Sequence, residues 1–209
     1  GGDGAIYVSD WANALIGHMQ HNMRDPNRDH AHGRIYRVSY KGRPLVKPFK
    51  MKGQPIESVL PAFLTKVNGV RYRARLELSG RETKETTQTV DQWASQLDPQ
   101  DATQAQALLE CLWVFEEHRV PNMKLLKRIY QNVAEPRIRA AAIRTLGHWG
   151  GKVTDWEATL VAAARDDEPL VRAEAAKAAV YFKGLTAAEV IFEVATRPTD
   201  PELDTVLNY

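Results

Sequence analysis

The chain has 209 residues, 44% of them hydrophobic, which is enough apolar material for one large or two small hydrophobic cores. Lys and Arg number 28 against 26 Asp and Glu, and this near balance argues against a nucleic-acid binder that works through bulk charge. Charged residues interrupt every apolar stretch well before it reaches the length of a membrane span, so the sequence predicts no membrane-spanning helix.

Two strands are predicted near the start of the chain. Asp3 to Trp11 ("DGAIYVSDW") and Gly33 to Tyr40 ("GRIYRVSY") both show the alternating side chains of a half-buried strand. The insert between them is much longer than an ordinary hairpin loop, so we expect it either to be functional or to pack one part of the protein on another. Residues 1–45 therefore form the first predicted domain.

The insert is rich in side chains that bind metal ions. The candidate ligands are His18, His21, Asp25, Asp29, His30 and His32. The histidines form two pairs, spaced by three and by two residues, which could converge with either aspartate on a zinc-like or iron-like ion. The spacing permits a transition-metal site but matches no strict metal-binding motif.

A calcium loop is a second interpretation of the same segment. Asp25, Asn27 and Asp29 have the D-x-N-x-D spacing of such a loop. However, His30 stands where an EF-hand requires Gly, and Tyr36 where a bidentate Glu is expected. An Asx turn braced by neighbouring arginines is therefore favoured over calcium binding.

The third interpretation of the insert, and the favoured one, is a structural connector. Leu15, Ile16, Met19 and Met23 alternate with the polar residues and could bury against the rest of the protein. Histidine, asparagine and arginine side chains can satisfy the backbone groups of a buried loop. We therefore expect this loop to pack on the first helical repeats without coordinating an ion.

A linker and then a helical repeat follow the strands. Residues 46–55 lie in a segment rich in proline and glycine, which predicts a crossing between two domains. Four similar motifs then begin 33 residues apart, and each first residue is followed by Ala. The starting residues are Arg73, Gln106, Arg139 and Arg172. A fixed period of this size predicts stacked helix pairs over residues 56–209.

Two of these motifs resemble a known repeat. "EPRIRAAAIRTL" and "EPLVRAEAAKAA" are similar to HEAT repeats, in which a Pro-led turn precedes an aliphatic–Arg pair and then Ala and Leu. The arginine of such repeats usually pairs with an acidic residue of a neighbouring turn, which implies structural roles for Arg139 and Arg172. The predicted fold is mainly α, a HEAT-like α-solenoid with a short N-terminal β segment.

Residues 3–45 resemble part of a larger family. They are similar to a stretch of large secreted planctomycete and verrucomicrobial proteins, described as membrane-bound dehydrogenase domain or haem-binding C-x-x-C-H proteins. The resemblance extends through "YRARLEL", "LLECLWV" and "RPTDPELDTVLNY". In that family a β-propeller similar to sorbosone dehydrogenases precedes HEAT-like repeats, and a cytochrome-c-like domain follows. The resemblance implies that this chain spans the junction of propeller and repeats.

The same resemblance carries expectations about cofactors and location. It implies a periplasmic or extracellular parent polypeptide with haem c and a quinone cofactor (PQQ) accompanied by calcium. The chain starts with "GGDG" and no leader, so we expect it to start inside a longer polypeptide or after a processed segment. Cys111 is its single cysteine, so any haem would attach outside these residues, and we expect no cofactor within them.

Resemblance to quinoprotein sugar dehydrogenases also identifies two arginines. Arg34 and Arg37 lie in the "GRIYRV" strand, which in such enzymes can present arginine to an anionic quinone. Their separation of three residues places them on opposite faces of a strand, so both cannot face one cofactor. A surface role for both arginines is favoured.

Three functions follow from these patterns. The favoured one is a helical-repeat scaffold in a secreted redox protein, which binds other domains of the same polypeptide or other proteins. The alternative is one part of a quinone- or metal-dependent sugar dehydrogenase site, although the fragment alone is expected to oxidise no sugar because two strands cannot form a propeller. A HEAT-type DNA glycosylase is disfavoured by the near-neutral repeats, and we expect no nucleic-acid partner.

Overall fold

The computed structural model describes residues 1, 3–10, 26, 29, 31–42 and 44–208. These residues belong to two compact units, Gly1–Phe49 and Lys50–Tyr209. The predicted connector loop lies almost entirely outside the described residues, so its packing on the repeats stays a prediction.

The first unit contains a two-stranded antiparallel sheet. Strand β1 (Ile6–Asp10) pairs with β2 (Arg34–Val38), and Ile6 lies opposite Val38. The strands are in the predicted places, but the expectation that they are half-buried is wrong. Ile6 is 66% exposed and Ile35 is 76% exposed, and the other side chains of both strands are at least partly exposed. A two-stranded ribbon has too little apolar surface to bury either face by itself.

The carboxylate of Asp3, just before β1, forms hydrogen bonds with residues of both strands and of the turn between itself and β1. Asp3 accepts hydrogen bonds from the Ala5 amide at 3.0 Å and the Tyr7 hydroxyl at 2.8 Å, and Arg37 donates to it at 2.6 Å. The bonds from Ala5 and Tyr7, followed by the Arg37 interaction, hold the pKa of Asp3 well below its usual range.

The second unit is helical, and residues 100–200 contain no strand, as predicted. Its main helices are α1 (Ile56–Val59), α2 (Asn68–Ser79), α3 (Thr83–Ser95), α4 (Ala102–Glu117), α5 (Met123–Asn132), α6 (Pro136–Trp149), α7 (Glu157–Ala164), α8 (Pro169–Ala179), α9 (Leu185–Ala195) and α10 (Pro201–Leu207). Short 3₁₀ turns at Leu60–Leu64 and Gly150–Lys152 follow α1 and α6.

Local sequence signals explain where these helices begin. Asp101 accepts hydrogen bonds from the Thr103 and Gln104 amides at the start of α4. Proline occupies the first helical position of α6, α8 and α10, where its missing N–H has no partner to lose. Gly150 ends α6 with φ +49°, a left-handed conformation that favours glycine.

The helices form two layers. Helices α2, α4, α6, α8 and α10 stack on one another in chain order, and we call this the inner layer. Helices α3, α5, α7 and α9 pack against it from one side, with α9 also on α7. The four alanines that follow the repeat starts, Ala74, Ala107, Ala140 and Ala173, are all buried. The prediction of at least three stacked helix pairs is therefore confirmed.

Arginine side chains of the inner helices donate hydrogen bonds to backbone carbonyls in the turn that precedes the same helix. Arg139 pairs with Asp166 at 2.9 Å, as expected, and donates to the Ala134 carbonyl at 2.7 Å. Arg172 donates instead to backbone carbonyls, among them those of Asp166 at 2.8 Å and Pro198. These contacts satisfy carbonyls that the turns would otherwise leave unpaired.

The first repeat places this arginine differently from the sequence register. Arg71 donates to the carbonyl of Thr65, six residues earlier, at 2.9 Å, just as Arg172 donates to Asp166. Among the described residues, the side chain of Arg73, which the register aligns with Arg139 and Arg172, donates only to the Gly69 carbonyl of its own helix, at 3.3 Å. In the first repeat, the arginine that contacts the preceding turn therefore lies two residues before the position that the 33-residue period predicts.

Candidate functional site

The two arginines suggested as quinone ligands are engaged within the strand ribbon. Arg37 forms the ion pair with Asp3, and Arg34 lies 3.7 Å from Asp10 and 3.5 Å from the Tyr36 hydroxyl. Both side chains are about half exposed. Cofactor binding by either arginine stays a prediction.

Two of the six candidate metal ligands are described. Asp29 accepts hydrogen bonds from the Ala31 and His32 amides at 2.9 and 3.0 Å, which is an Asx-type turn. The Ala31 bond is the largest cause of a lowered pKa for Asp29. His32 Nδ1 lies 3.0 Å from the same carboxylate.

The other four candidate ligands, His18, His21, Asp25 and His30, lie outside the described residues. Among the residues that are described, no three His, Cys, Asp or Glu side chains are grouped to hold a metal ion. None of the described helices is long and apolar enough to cross a membrane.

A groove crosses the exposed side of the inner layer. It is lined by Arg75 from α2, Trp113, Glu116, Glu117 and Arg119 from α4 and its end, and Arg144 and His148 from α6. We call this the repeat groove, and its volume is about 550 Å³. Three successive inner helices contribute to it because the stacking brings their equivalent faces side by side.

A stacked pair forms one wall of the repeat groove. The Arg75 guanidinium lies 4.6 Å from the centroid of the Trp113 ring, within the range of a cation–π interaction. Arg75 Nη1 also donates to Glu110 at 2.7 Å. The Arg75 side chain is mostly buried, whereas the Trp113 residue is half-buried and offers an aromatic surface to the groove.

Beneath this pair lies a buried carboxylate. Glu110 accepts hydrogen bonds from Arg71 Nε at 2.8 Å, Arg75 Nη1 at 2.7 Å and Gln106 Nε2 at 3.0 Å. A buried carboxylate is stable when its charge is paired and its oxygens are hydrogen-bonded, and both conditions hold here. Glu110 therefore fixes the arginines that support the groove.

Glu116 links α4 to α6 at the centre of the repeat groove. Its Oε1 lies 2.5 Å from His148 Nδ1, and its Oε2 accepts a hydrogen bond from the buried Thr145 hydroxyl at 3.1 Å. The neighbouring Glu117 is partly buried, and this burial raises the pKa of its carboxyl. The groove thus has both signs of charge on fixed side chains.

A smaller hollow continues the repeat groove toward α8. It shares Arg144 and His148 with the groove and adds Gly147, Glu174, Lys177, Ala178 and Tyr181. Its volume is about 250 Å³. Helices α6 and α8 approach closely here: a Cβ on Gly147 would lie only 3.0 Å from Ala178 Cα, so the absence of a side chain at Gly147 permits this contact.

Arg144 and Glu174 hold the hollow together. Arg144 donates to both Glu174 oxygens at 2.9 and 2.8 Å, and Lys177 donates to Glu174 at 3.1 Å. Burial favours the protonated form of Glu174, but the hydrogen bonds from Arg144 and Lys177 outweigh it and lower the pKa of this carboxyl.

The chemistry of this surface suits recognition of a protein segment. Its carboxylates and cations are nearly balanced, and Arg144 and Lys177 pair with Glu174. The chain's only thiol, Cys111, is fully buried, and burial raises its pKa, so it is not an activated nucleophile. A mixed-charge groove with an aromatic and an arginine wall has the residue types that dominate protein interfaces.

The sequence did not identify this surface as a site. Arg75 and Trp113 lie in the motifs "RARLEL" and "LLECLWV", which indicated only repeated helices. The sequence did contain one usable signal, a carboxylate within an otherwise apolar or alanine-rich helical segment, as at Glu110 and Glu174.

Comparison with known proteins supports the repeat architecture. A family model described as HEAT repeats matches residues 123–207, which begin at α5 and end at α10. No curated protein and no solved structure matches the chain. The chain is thus mainly helical, with HEAT-like repeats and a short two-stranded sheet.

Proposed function

We propose that this chain is a protein-interaction scaffold, and that it binds a segment of another protein or of another domain through the repeat groove. The observation that carries this proposal is the Trp113 ring, which is stacked under Arg75 and faces a groove walled by fixed charged side chains. Tryptophan and arginine are the residues most often responsible for binding energy in protein interfaces. Stacked helical repeats commonly offer such extended binding surfaces.

Preorganisation strengthens the proposal. Arg75 and Arg144 are held in ion pairs, and Glu116 in a hydrogen bond with His148, with groups of neighbouring helices before any partner arrives. Binding then requires less ordering of side chains, which is one of the main costs of association. The balanced charges favour a partner that carries both acidic and basic residues, and they do not favour a polyanion.

We further propose that the scaffold belongs to a secreted multidomain redox protein of the dehydrogenase and cytochrome-c-linked type. The support for this is the resemblance of residues 3–45 and of the repeat motifs to that family. The exposed ribbon of β1 and β2 is compatible with a piece of a larger sheet such as a propeller blade. Haem c, a quinone with calcium, and a periplasmic or extracellular location are properties of the proposed parent polypeptide.

Site-specific photo-cross-linking tests the groove. A photoreactive phenylalanine is placed in turn at Trp113, at His148 and, as a control, at the exposed Glu85 on α3. The parent polypeptide or its source extract is irradiated, and cross-linked peptides are identified by mass spectrometry. We expect the same partner segment from Trp113 and His148 and not from Glu85. Equal cross-linking from all three positions would contradict the groove as the binding surface.

The redox parentage has its own test. The purified parent polypeptide is analysed for covalent haem by its absorption spectrum and for a quinone by extraction. Covalent haem together with quinone supports the proposed family. A parent polypeptide with neither group would remove this part of the proposal and leave the scaffold function standing.

A further inference from the structure

Helix α9 exposes an apolar stripe to solvent. The stripe consists of Leu185, Ala188, Phe192 and Ala195, whose spacing of three, four and three residues places them on one face of the helix. Leu185 is 83% exposed and Phe192 is 72% exposed. Large apolar side chains this exposed, in a row, are typical of a surface that another element covers. We call these four residues the α9 stripe.

The equivalent side chains one repeat earlier are buried. Asp200 and Pro201 stand 32 residues after Glu168 and Pro169, and Arg197 stands 32 residues after Arg165. The same shift relates the α9 stripe to four residues in and before α7. These are Val153, Trp156, Leu160 and Ala163, and all four are buried.

The two helices that follow in the chain, α8 and α9, both pack on α7. Helix α9 packs on α7, and Trp156 stacks on Phe182, just before α9, with ring centroids 4.2 Å apart. The interface between consecutive outer helices is thus already present once in the chain. At the 32-residue shift, the α9 stripe occupies the sequence positions of these α7 residues one repeat further along the array.

Among the described residues, the inner layer extends past α9 to α10, and no outer helix follows α9. Helix α10 begins at Pro201, the position equivalent to Pro169 of α8, and it packs on α8 as α8 packs on α6. Helix α9 packs on α8, the inner helix before it, and on α7, the outer helix before it, so a helix placed in the same way after α10 would pack on α10 and on α9.

We propose that the α9 stripe is the docking surface for one amphipathic helix from an adjoining domain of the same polypeptide, packed on α9 as α9 packs on α7. This inference rests on the proposed function only in taking the chain as one segment of a multidomain protein. Ala188, between Leu185 and Phe192, and Ala195, one turn beyond Phe192, leave room for large apolar side chains of the docked helix. Glu189, exposed beside the stripe and without an ion pair among the described residues, favours a basic residue on that helix.

An extended chain tests the docking geometry. Residues 176–208 are appended directly after Leu207, so that α10 continues as α8 does and a copy of α9 follows in register. Ala188→Cys in the original α9 reports coverage, because Cys111 is buried and unreactive. We expect maleimide to label this cysteine at least about tenfold more slowly in the extended chain than in the chain of 209 residues. The control Glu85→Cys is expected to label equally in both.

A second comparison separates docking from a general stabilising effect. Phe192→Asp is expected to leave the melting temperature of the original chain unchanged, because the side chain is exposed, and to lower that of the extended chain by several degrees. The same loss in both chains, or unchanged labelling at position 188, would overturn the proposal. If the extended chain does not fold, a synthetic peptide of residues 182–198 added to the original chain must slow the labelling, and failure to do so overturns it as well.

The alternative occupant is a second copy of the chain. Concentration-dependent dimerisation of the original chain that Phe192→Asp abolishes would assign the stripe to self-association and would overturn the proposal. Variants of the α9 stripe leave Trp113 and the repeat groove unchanged, so this experiment can fail while the scaffold function stands, and the converse also holds.

Discussion

The guanidinium of Arg75 on α2 lies between two groups of α4: the Trp113 ring, 4.6 Å away, and the Glu110 carboxylate, which accepts its Nη1 hydrogen bond at 2.7 Å. One side chain therefore joins two repeats, supports an aromatic surface and neutralises a buried charge. The stability of the array and the shape of the repeat groove therefore depend on the same contacts.

Removing the buried charge tests the network directly. Glu110→Ala leaves Arg71 and Arg75 without their shared carboxylate in a mostly buried place. We expect a loss of about 3–5 kcal/mol in the free energy of unfolding, measured by urea denaturation. The exposed Glu85→Ala on α3 serves as the control and should change it by about 0.5 kcal/mol or less. A loss at Glu110 no larger than at Glu85 would contradict the role assigned to this network.

Two glycines predict effects of opposite sign. A Cβ at Gly147 would lie 3.0 Å from Ala178 Cα and 3.1 Å from its Cβ, so Gly147→Ala forces α6 and α8 apart. We expect this overpacking to cost about 1–3 kcal/mol, more than the gain of up to about 1 kcal/mol in helix propensity. Gly69→Ala in α2 meets open space and should stabilise the protein by about 0.4–1 kcal/mol. Thermal unfolding of both variants decides the matter, and a stabilising Gly147→Ala would contradict the close approach of these helices.

The ion pairs of the hollow predict a pH dependence. Hydrogen bonds from Arg144 and Lys177 lower the pKa of Glu174 in the folded protein below the 4.5 of the unfolded chain, although burial opposes this. The ionised form then stabilises the fold above pH 4.5, and this contribution is lost as the pH falls through the folded-state pKa. The stability difference between the native chain and Glu174→Gln should therefore shrink as the pH falls from about 7 to about 3. A difference that stays constant over this range would show that Glu174 titrates as in the unfolded chain.

The histidine-rich insert predicts an unchanged metal content. Changing His18 together with His21 should leave the transition-metal content of the purified chain as it was, because we expect this segment to be a structural connector. Elemental analysis measures this. About one equivalent of zinc or iron per chain that the double variant loses would favour the metal site.

The repeat register could be predicted from sequence because it depends on local rules. Proline at the first helical position, as in Pro136 and Pro169, and buried alanines such as Ala140 and Ala173 recur at a fixed spacing. Each signal acts within one helix or between neighbouring repeats, so periodicity alone identifies it.

The groove could not be predicted in the same way. Arg75 and Glu110 are 35 residues apart, whereas Arg144 and Glu174 are 30 apart, so no fixed spacing connects the partners. These pairs depend on how far each helix is rotated and shifted against the next. The change from Arg73 to Arg71 as the arginine that contacts the turn of the first repeat is likewise not visible in the 33-residue period.

The strand ribbon shows a second limit of sequence reasoning. Alternating side chains in "AIYVSD" and "RIYRV" correctly predicted strands, but burial of one face depends on a layer that covers it. The alternation gives no information about whether another part of the same 209 residues covers that face.

Affinity for the cross-linked partner segment tests the central claim most directly. The segment identified through Trp113 and His148 is synthesised and titrated against the native chain, Trp113→Ala and Phe192→Ala. A binding hot spot at Trp113 predicts a loss of about 2 kcal/mol or more, roughly thirtyfold in Kd, with a Kd for Phe192→Ala equal to that of the native chain. Equal affinity of the native chain and a folded Trp113→Ala would contradict the repeat groove as the binding surface.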